Sequence, residues 1–245
     1  MRCFLGYFLS PIHHLIFLLT LCIFQPIQWF CFKFFGYTAH KKAVDLLNFF
    51  LVATYYILGL KVSYYKNAAL PLGKTIIFIA NHQSMYDVPA LIWFLRKYHV
   101  KFISKIELTK NIPSISFNLN HGGGANINRK DARQAITEIL KFGQRMKDNN
   151  WGAVIFPEGT RSKTGVLKDF QVGGVATLLK KVPNAIIVPI AINNSYKVVS
   201  NSTFWLLPGY HLKFKVLDEI SNHNKTVENI LAEAKEAIAK NINQI

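Results

Sequence analysis

The sequence predicts an α/β protein, a mixed β-sheet flanked by helices, preceded by a two-helix membrane anchor. Three observations carry this reading. Apolar runs of strand length alternate with amphipathic helical patterns over residues 63–245. Half of the 245 residues (51%) are apolar, enough for a sizeable core. Residues 1–62 hold two long apolar helical stretches.

The first stretch, Leu15 to Phe35, is about long enough to cross a bilayer once, although Gln25, Pro26 and Gln28 interrupt its middle. The second, Ala43 to Leu58, is rich in the aromatic residues that favour the headgroup region. A spanning segment and a kinked helix lying in the interface both fit. Lys33, Lys41, Lys42, Lys61, Lys66 and Lys74 flank the pair, as contact with anionic headgroups on the cytoplasmic side requires, so the domain that follows is expected to face the cytoplasm. A cleaved secretory leader fits poorly, because bulky Tyr37 precedes Ala39 at the position that needs a small residue. Cys3, Cys22 and Cys31 all fall in this apolar region, with neither metal-ligand spacing nor an even disulfide set.

Strands are expected at Thr75–Ala80, Lys101–Ser104, Ala153–Phe156, Ile186–Ile192 and Leu212–Leu217. Helices are expected at Pro89–Lys97, Asp131–Lys147, Val172–Lys181 and Val227–Ile242. The Asp131–Lys147 segment places Ala132, Ala135, Ile136, Ile139 and Leu140 on one face.

A net charge of +16 directs attention to anionic partners. Nucleic acid is disfavoured, since the basic residues are scattered and no helix-turn-helix, zinc-finger or RNP-like pattern organises them. No G-x-S-x-G elbow or P-loop occurs, which argues against a serine hydrolase and a nucleotide-binding enzyme. His82 and Asp87 lack companion ligands at metal spacing, so no metal is implied.

Two strand-to-helix connections carry the chemistry. After TIIFIA comes NHQSMYD, where a tight turn can fold Asp87 back onto His82, giving a base and the carboxylate that orients it. The same residues equally suit a plain role, with Asp87 as the N-cap of a helix whose first turn holds Pro89. After AVIF comes FPEGTRS. Here Arg161 offers a planar fork for phosphate, Gly159 and Thr160 add donors, and Glu158 either binds a substrate hydroxyl or holds Arg161. Between them, Lys105 and Arg129 are further candidates for anionic groups, and Gly122–Gly124 permit close backbone approach.

NHQSMYD followed by FPEGTRS closely resembles the glycerolipid acyltransferase family, in particular its bacterial 1-acyl-sn-glycerol-3-phosphate acyltransferases. The resemblance covers about Lys74 to Ile192, with Pro189 in VPIAI matching a further family block. It implies a glycerol-3-phosphate acyltransferase-like fold, His82 as general base, Asp87 as its partner, and Arg129, Glu158, Gly159, Thr160 and Arg161 shaping a lysophospholipid site, beside which Lys105 stays a candidate for substrate binding on its charge alone. It implies an acyl-CoA or acyl-carrier protein donor, no further cofactor, a membrane location with the active site on the cytoplasmic side, and phosphatidic acid as product. The chain departs from the family at Asn126, Ile127, Asn128 and Arg129, where a Phe-Ile-Asp-Arg-like string is usual. Glycerol-3-phosphate or a lyso-aminolipid therefore stands as an alternative acceptor, and a silent lipid-binding homologue as an alternative class.

Overall fold

The computed structural model describes residues 2–199 and 202–242. Helix α1 (Arg2–Ala53) opens the chain and turns at Gly36, whose φ of 76° and ψ of −168° suit only glycine. The two arms fold onto each other there. Leu21 and Phe24 pack on Leu47 and Leu51, and the His40 Nε2–H donates to the Gln28 side-chain oxygen at 3.1 Å. The sequence placed its interruption at Gln25–Gln28, yet Pro26 lies inside the helix. A proline removes one amide hydrogen bond and bends a helix, whereas reversal needs the dihedrals of Gly36.

Thereafter follow β1 (Lys61–Lys66), β2 (Ile76–Ala80), α2 (Asp87–Phe94), β3 (Lys101–Lys105), α3 (Ile115–His121), β4 (Ala125–Ile127) and α4 (Ala132–Asn149). The chain continues through β5 (Ala153–Ile155), α5 (Val172–Lys181), β6 (Ile186–Asn193), α6 (Ser195–Val198), β7 (His211–Val216) and α7 (Val227–Ile242). The sheet order is β1-β7-β6-β2-β5-β3-β4, with β6 and β7 antiparallel and every other neighbouring pair parallel. It is a mixed sheet, as expected, with two strands more than the five expected. Lys61–Lys66 is a polar-aromatic edge strand, and Ala125–Ile127 is too short to show a period.

Each sheet face carries its own core. On one, Phe78, Val188 and Phe214 meet Val52 of α1 and Ala90 and Leu91 of α2. On the other, Ile77, Ile79 and Ala153 meet Ile139 and Phe142 of α4, Val175 of α5 and Ile230 of α7. Side chains of this size contribute about 1.5–3 kcal/mol each when fully buried. Strand β2 is buried along its whole length, which explains its unbroken apolar run.

Because β2, β3, β4, β5 and β6 are mutually parallel through their neighbours, their carboxyl ends share one edge of the sheet. That edge carries His82 and Asp87 after β2, Lys105 at the end of β3, Arg129 after β4, and Glu158 to Arg161 after β5, whereas Gly122–Gly124 lead into the amino end of β4. Open α/β sheets build their sites at this edge.

Candidate active site

The turn after β2 is closed by Asp87. Its Oδ2 accepts from His82 Nδ1–H at 2.9 Å, from the Gln83 amide at 2.7 Å and from the Ser84 amide at 2.9 Å. Asp87 is the first residue of α2 and makes no capping bond to that helix. A cap would turn the carboxylate forward, whereas here it reaches back and clasps the turn that carries His82. Asp87 is fully buried, while the imidazole keeps 18% of its side-chain surface. With Nδ1 committed to the carboxylate, His82 Nε2 has no hydrogen-bond partner among the described residues. Phe156 stacks on the imidazole, ring centroids 4.1 Å apart and planes within 16°, fixing its tilt.

Among the described residues, Glu158 does not pair with Arg161. One carboxylate oxygen accepts from the His82 amide at 2.7 Å and the other from the Lys168 amide at 3.0 Å. It therefore sews the β2 turn to the loop after β5. Burial pushes its pKa up, against the pull of those two amides and the nearby positive charges. A second stitch runs the same way, with the Ser162 amide donating to the His82 carbonyl at 2.7 Å. Gly159 has a φ of 67° in the turn where its amide donates to the Phe156 carbonyl at 3.0 Å, and a Cβ there would meet nothing within 4 Å. Its requirement is conformational.

Lys105, Arg129, Thr160 and Arg161 are exposed on the same edge. Register pairs Lys105 with Ile127, which brings the end of β3 beside the connection that carries Arg129. That connection is tied down by Gln134, whose amide nitrogen donates to the Asn126 carbonyl while its oxygen accepts from the Asn128 amide. Asn128 in turn accepts from the Lys130 amide, which leaves Arg129 facing outward between two anchored residues. Among the described residues, no carboxylate pairs with Lys105, Arg129 or Arg161. Lys168 joins the group unforeseen, its Nζ donating at 3.0 Å to Thr160 Oγ1 and at 3.0 Å to the Arg161 carbonyl.

Three polar residues that the sequence reading did not single out hold the site from behind. Asn81 exchanges two hydrogen bonds with the Ile192 backbone and so locks the start of the turn onto β6. Ser195 donates its hydroxyl to Asp87 Oδ1 at 2.5 Å, and the Gln83 side-chain oxygen accepts from the Ser195 amide at 3.1 Å. Both Asp87 oxygens are thus occupied. The amides of His82, Gln83 and Ser84 are also spent on carboxylates, so an oxyanion needs donors other than these three.

Chemically, the arrangement is an oriented imidazole with one open ring nitrogen, beside unpaired cations and hydroxyls. It can take a proton from a hydroxyl and hold a phosphate at a distance from that hydroxyl. Likeness to known proteins points the same way. The fold matches the crystal structure of the 1-acyl-sn-glycerophosphate acyltransferase PlsC from Thermotoga maritima with a TM-score of 0.82, covering 100% of this chain and 97% of that one at 19% identity. In sequence the chain is 33% identical to the 1-acyl-sn-glycerol-3-phosphate acyltransferase of Helicobacter pylori, over 51% of this chain and 51% of that protein. It is 27% identical to the human 1-acyl-sn-glycerol-3-phosphate acyltransferase beta, over 77% of this chain and 66% of that protein. A chloroplastic 1-acyl-sn-glycerol-3-phosphate acyltransferase of Brassica napus is 29% identical over 72% of this chain, which spans about half (49%) of that relative's length. The acyltransferase family model matches residues 61–193, from β1 to the end of β6 and therefore both connections that build the site, and the chain belongs to that family.

Proposed function

We propose that this acyltransferase moves a fatty-acyl group from a thioester, on acyl-CoA or acyl-carrier protein, to the sn-2 hydroxyl of 1-acyl-sn-glycerol-3-phosphate, forming phosphatidic acid. The observation that carries the reading is the His82 imidazole, bound through Nδ1 to Asp87 with Nε2 open, on the sheet edge that also presents Arg129, Arg161 and Lys105. The names borne by the relatives agree with it.

The thioester is already activated, so the enzyme has two tasks: placing the acceptor hydroxyl against the carbonyl carbon and removing its proton. Arg129 and Arg161, with Lys105 and Thr160 beside them, hold the acceptor phosphate and so orient a flexible lipid from a remote charge. His82 Nε2 takes the hydroxyl proton as the new C–O bond forms, and Asp87 stabilises the resulting imidazolium. When the tetrahedral intermediate collapses, the C–S bond breaks and Nε2–H returns the proton to the departing thiolate. No covalent acyl-enzyme and no cofactor enter these steps. Glu158 and Gly159 shape the loop that brings His82 and Arg161 together and need not touch the lipid.

The acceptor is delivered from a bilayer. Phe4, Phe8, Trp29, Phe30, Phe34 and Phe35 lie exposed on α1, a surface larger than a water-soluble face tolerates and rich in the rings that settle at the headgroup level. Helix α1 runs into the short turn ending at Leu58, and this whole stretch is long and apolar enough to cross a membrane. With the neighbouring lysines on the cytoplasmic side, the site faces the cytoplasm.

The test is acyl transfer by the purified protein in detergent to 1-acylglycerol-3-phosphate, glycerol-3-phosphate and a lyso-aminolipid, beside His82→Ala. Transfer to the first acceptor that disappears in the variant supports the proposal. Transfer confined to another acceptor moves the substrate, and a folded wild type inactive on all three sinks it.

A further inference from the structure

His13, on the first arm of α1, lies beside the catalytic turn. Its ring is 1% exposed, with Nδ1 3.1 Å from the Thr54 carbonyl and Nε2 3.2 Å from the Tyr86 hydroxyl. A carbonyl only accepts, so Nδ1 carries the proton and Nε2 of the neutral ring accepts from Tyr86. Burial pushes the Tyr86 phenol pKa up, which keeps that hydroxyl a donor at neutral pH.

Tyr86 immediately precedes Asp87 and is held at three points. His13 takes its hydroxyl, Tyr55 donates to its carbonyl at 3.0 Å, and its amide donates to Ser84 Oγ at 3.2 Å. Two of the three partners, His13 and Tyr55, come from α1 and the turn that continues it. The Tyr55 and Tyr86 rings meet edge to face at 5.0 Å, and His13 lies 5.7 Å from Tyr86 and 6.4 Å from Tyr55, a buried triad of rings. The first arm is seated by further polar contacts, among them the Leu206 amide donating to Ser10 Oγ at 2.8 Å and the Ser114 hydroxyl donating to the Leu21 carbonyl at 2.6 Å.

We propose that His13 is a positioning residue, which through Tyr86 sets the Asp87 carboxylate against His82 and makes catalysis depend on how α1 sits against the sheet domain. The helix that meets the membrane is thereby part of the catalytic apparatus. Displacing it releases the Tyr86 hydroxyl and carbonyl together and frees the peptide leading into Asp87. A base displaced by a fraction of an ångström loses rate without losing substrate. This rests on the acyl-transfer reading above only for its kinetic readout.

The experiment compares the full-length wild type in detergent with His13→Phe, which keeps the ring volume and loses both hydrogen bonds, and His13→Gln, which keeps one donor and one acceptor. Tyr86→Phe and the double variant His13→Phe/Tyr86→Phe complete the cycle. Expected are a fall in kcat of about tenfold in His13→Phe and in Tyr86→Phe, with KM for both substrates within about twofold. His13→Gln should stay within about threefold of wild type, and the double variant should be no slower than either single one. Unchanged kcat in the single variants, or losses that multiply in the double, overturns the proposal. Should His13→Phe fail to fold, Tyr86→Phe, which removes one oxygen atom, and His13→Gln still decide.

A second readout needs no turnover. In protein labelled with nitrogen-15 histidine, the proton on His82 Nδ1 should shift in Tyr86→Phe and stay in His13→Gln. An unmoved resonance in Tyr86→Phe overturns the positioning role, whereas a shifted one in a wild type that transfers no acyl group overturns only the function proposed above.

Discussion

The hydroxyl of Ser195 closes on Oδ1 of Asp87 at 2.5 Å, on the side of the carboxylate away from His82. Oδ2 is filled by the His82 ring and two backbone amides, and among the described residues the only other approach to Oδ1 is Ser84 Oγ at 3.5 Å, too long to replace a good bond. Ser195 stands just beyond the carboxyl end of β6, so the carboxylate that orients the base is clamped between two neighbouring strands of the sheet.

Removing that clamp should loosen the carboxylate without emptying the site. Ser195→Ala leaves a fully buried oxygen short of its donor, which costs about 1–3 kcal/mol of stability. It should also lower kcat by about threefold to tenfold with KM little changed. Denaturant titration and steady-state kinetics on the same preparation check both. A variant as fast and as stable as wild type would show that the Ser195 bond carries no weight.

Asp87→Asn should do far more than its small change in shape suggests. An amide nitrogen in the place of Oδ2 would face three donors, the Gln83 and Ser84 amides and His82 Nδ1–H. Turned the other way, it would meet the Ser195 hydroxyl, which can reverse and accept, but the ring would lose its charged partner. The imidazolium formed on proton transfer is then no longer stabilised, and kcat should fall by about 10²–10⁴ while lipid binding persists. A loss below tenfold would mean that Asp87 serves the fold alone.

Much of this was legible in the sequence, and the exceptions share a cause. Period and turn residues located β2, β3, β5, β6, β7 and the main helices, because a buried parallel strand writes itself as a run such as Ile76–Ala80. His82, Asp87 and the FPEGTRS loop stood out because their residue types are unusual next to such runs. Ser195, Asn81, Gln83 and Lys168 did not, since a serine or an amide after a strand is ordinary, and only the fold brings Ser195 to Asp87 across a separation of 108 positions. Glu158 was found, but its backbone partners were not. Local reasoning gave it a neighbour in sequence, whereas its partners are backbone amides supplied by other parts of the chain.

Those backbone partners separate two substitutions in one short loop. Glu158→Gln places an NH₂ against one of the two amides, His82 or Lys168, and forfeits a buried charge-assisted bond, costing about 1.5–3 kcal/mol. Its kinetic effect should appear in kcat, through His82. Arg161→Ala disturbs an exposed side chain with no carboxylate partner among the described residues, so stability should stay within about 0.5 kcal/mol. Its effect should appear as a raised KM for the phosphate-bearing acceptor and not for the thioester. If Glu158→Gln raised the acceptor KM alone, the residue would belong to the lipid site after all.

The sheet's opposite edge holds a charge that the proposed reaction does not use. Lys101 opens β3 only 8% exposed, its ammonium 5.3 Å from the ring centres of both Tyr37 and Trp151. Burial, with help from the nearby Lys41 charge and against the pull of Asp45, pushes its pKa down from 10.5 to about 7. Between those two values the unfolded chain holds more protons than the folded one, so stability should rise as pH climbs from about 7 towards 10 and level off on the acid side of 7. Each pH unit of the displacement costs about 1.4 kcal/mol, and the two ring faces return about 1 kcal/mol by favouring the charged form. His99, stacked on Trp151 and driven down to about 3 chiefly by burial, titrates below this window and does not contribute to it. Lys101→Met keeps the volume and removes the charge, so it should raise stability at pH 7 by about 1–3 kcal/mol and flatten the curve up to pH 10. Denaturant unfolding of both proteins in detergent across that range decides the matter. Parallel curves would mean that Lys101 keeps its proton in the folded state, held by the two rings strongly enough to offset its burial.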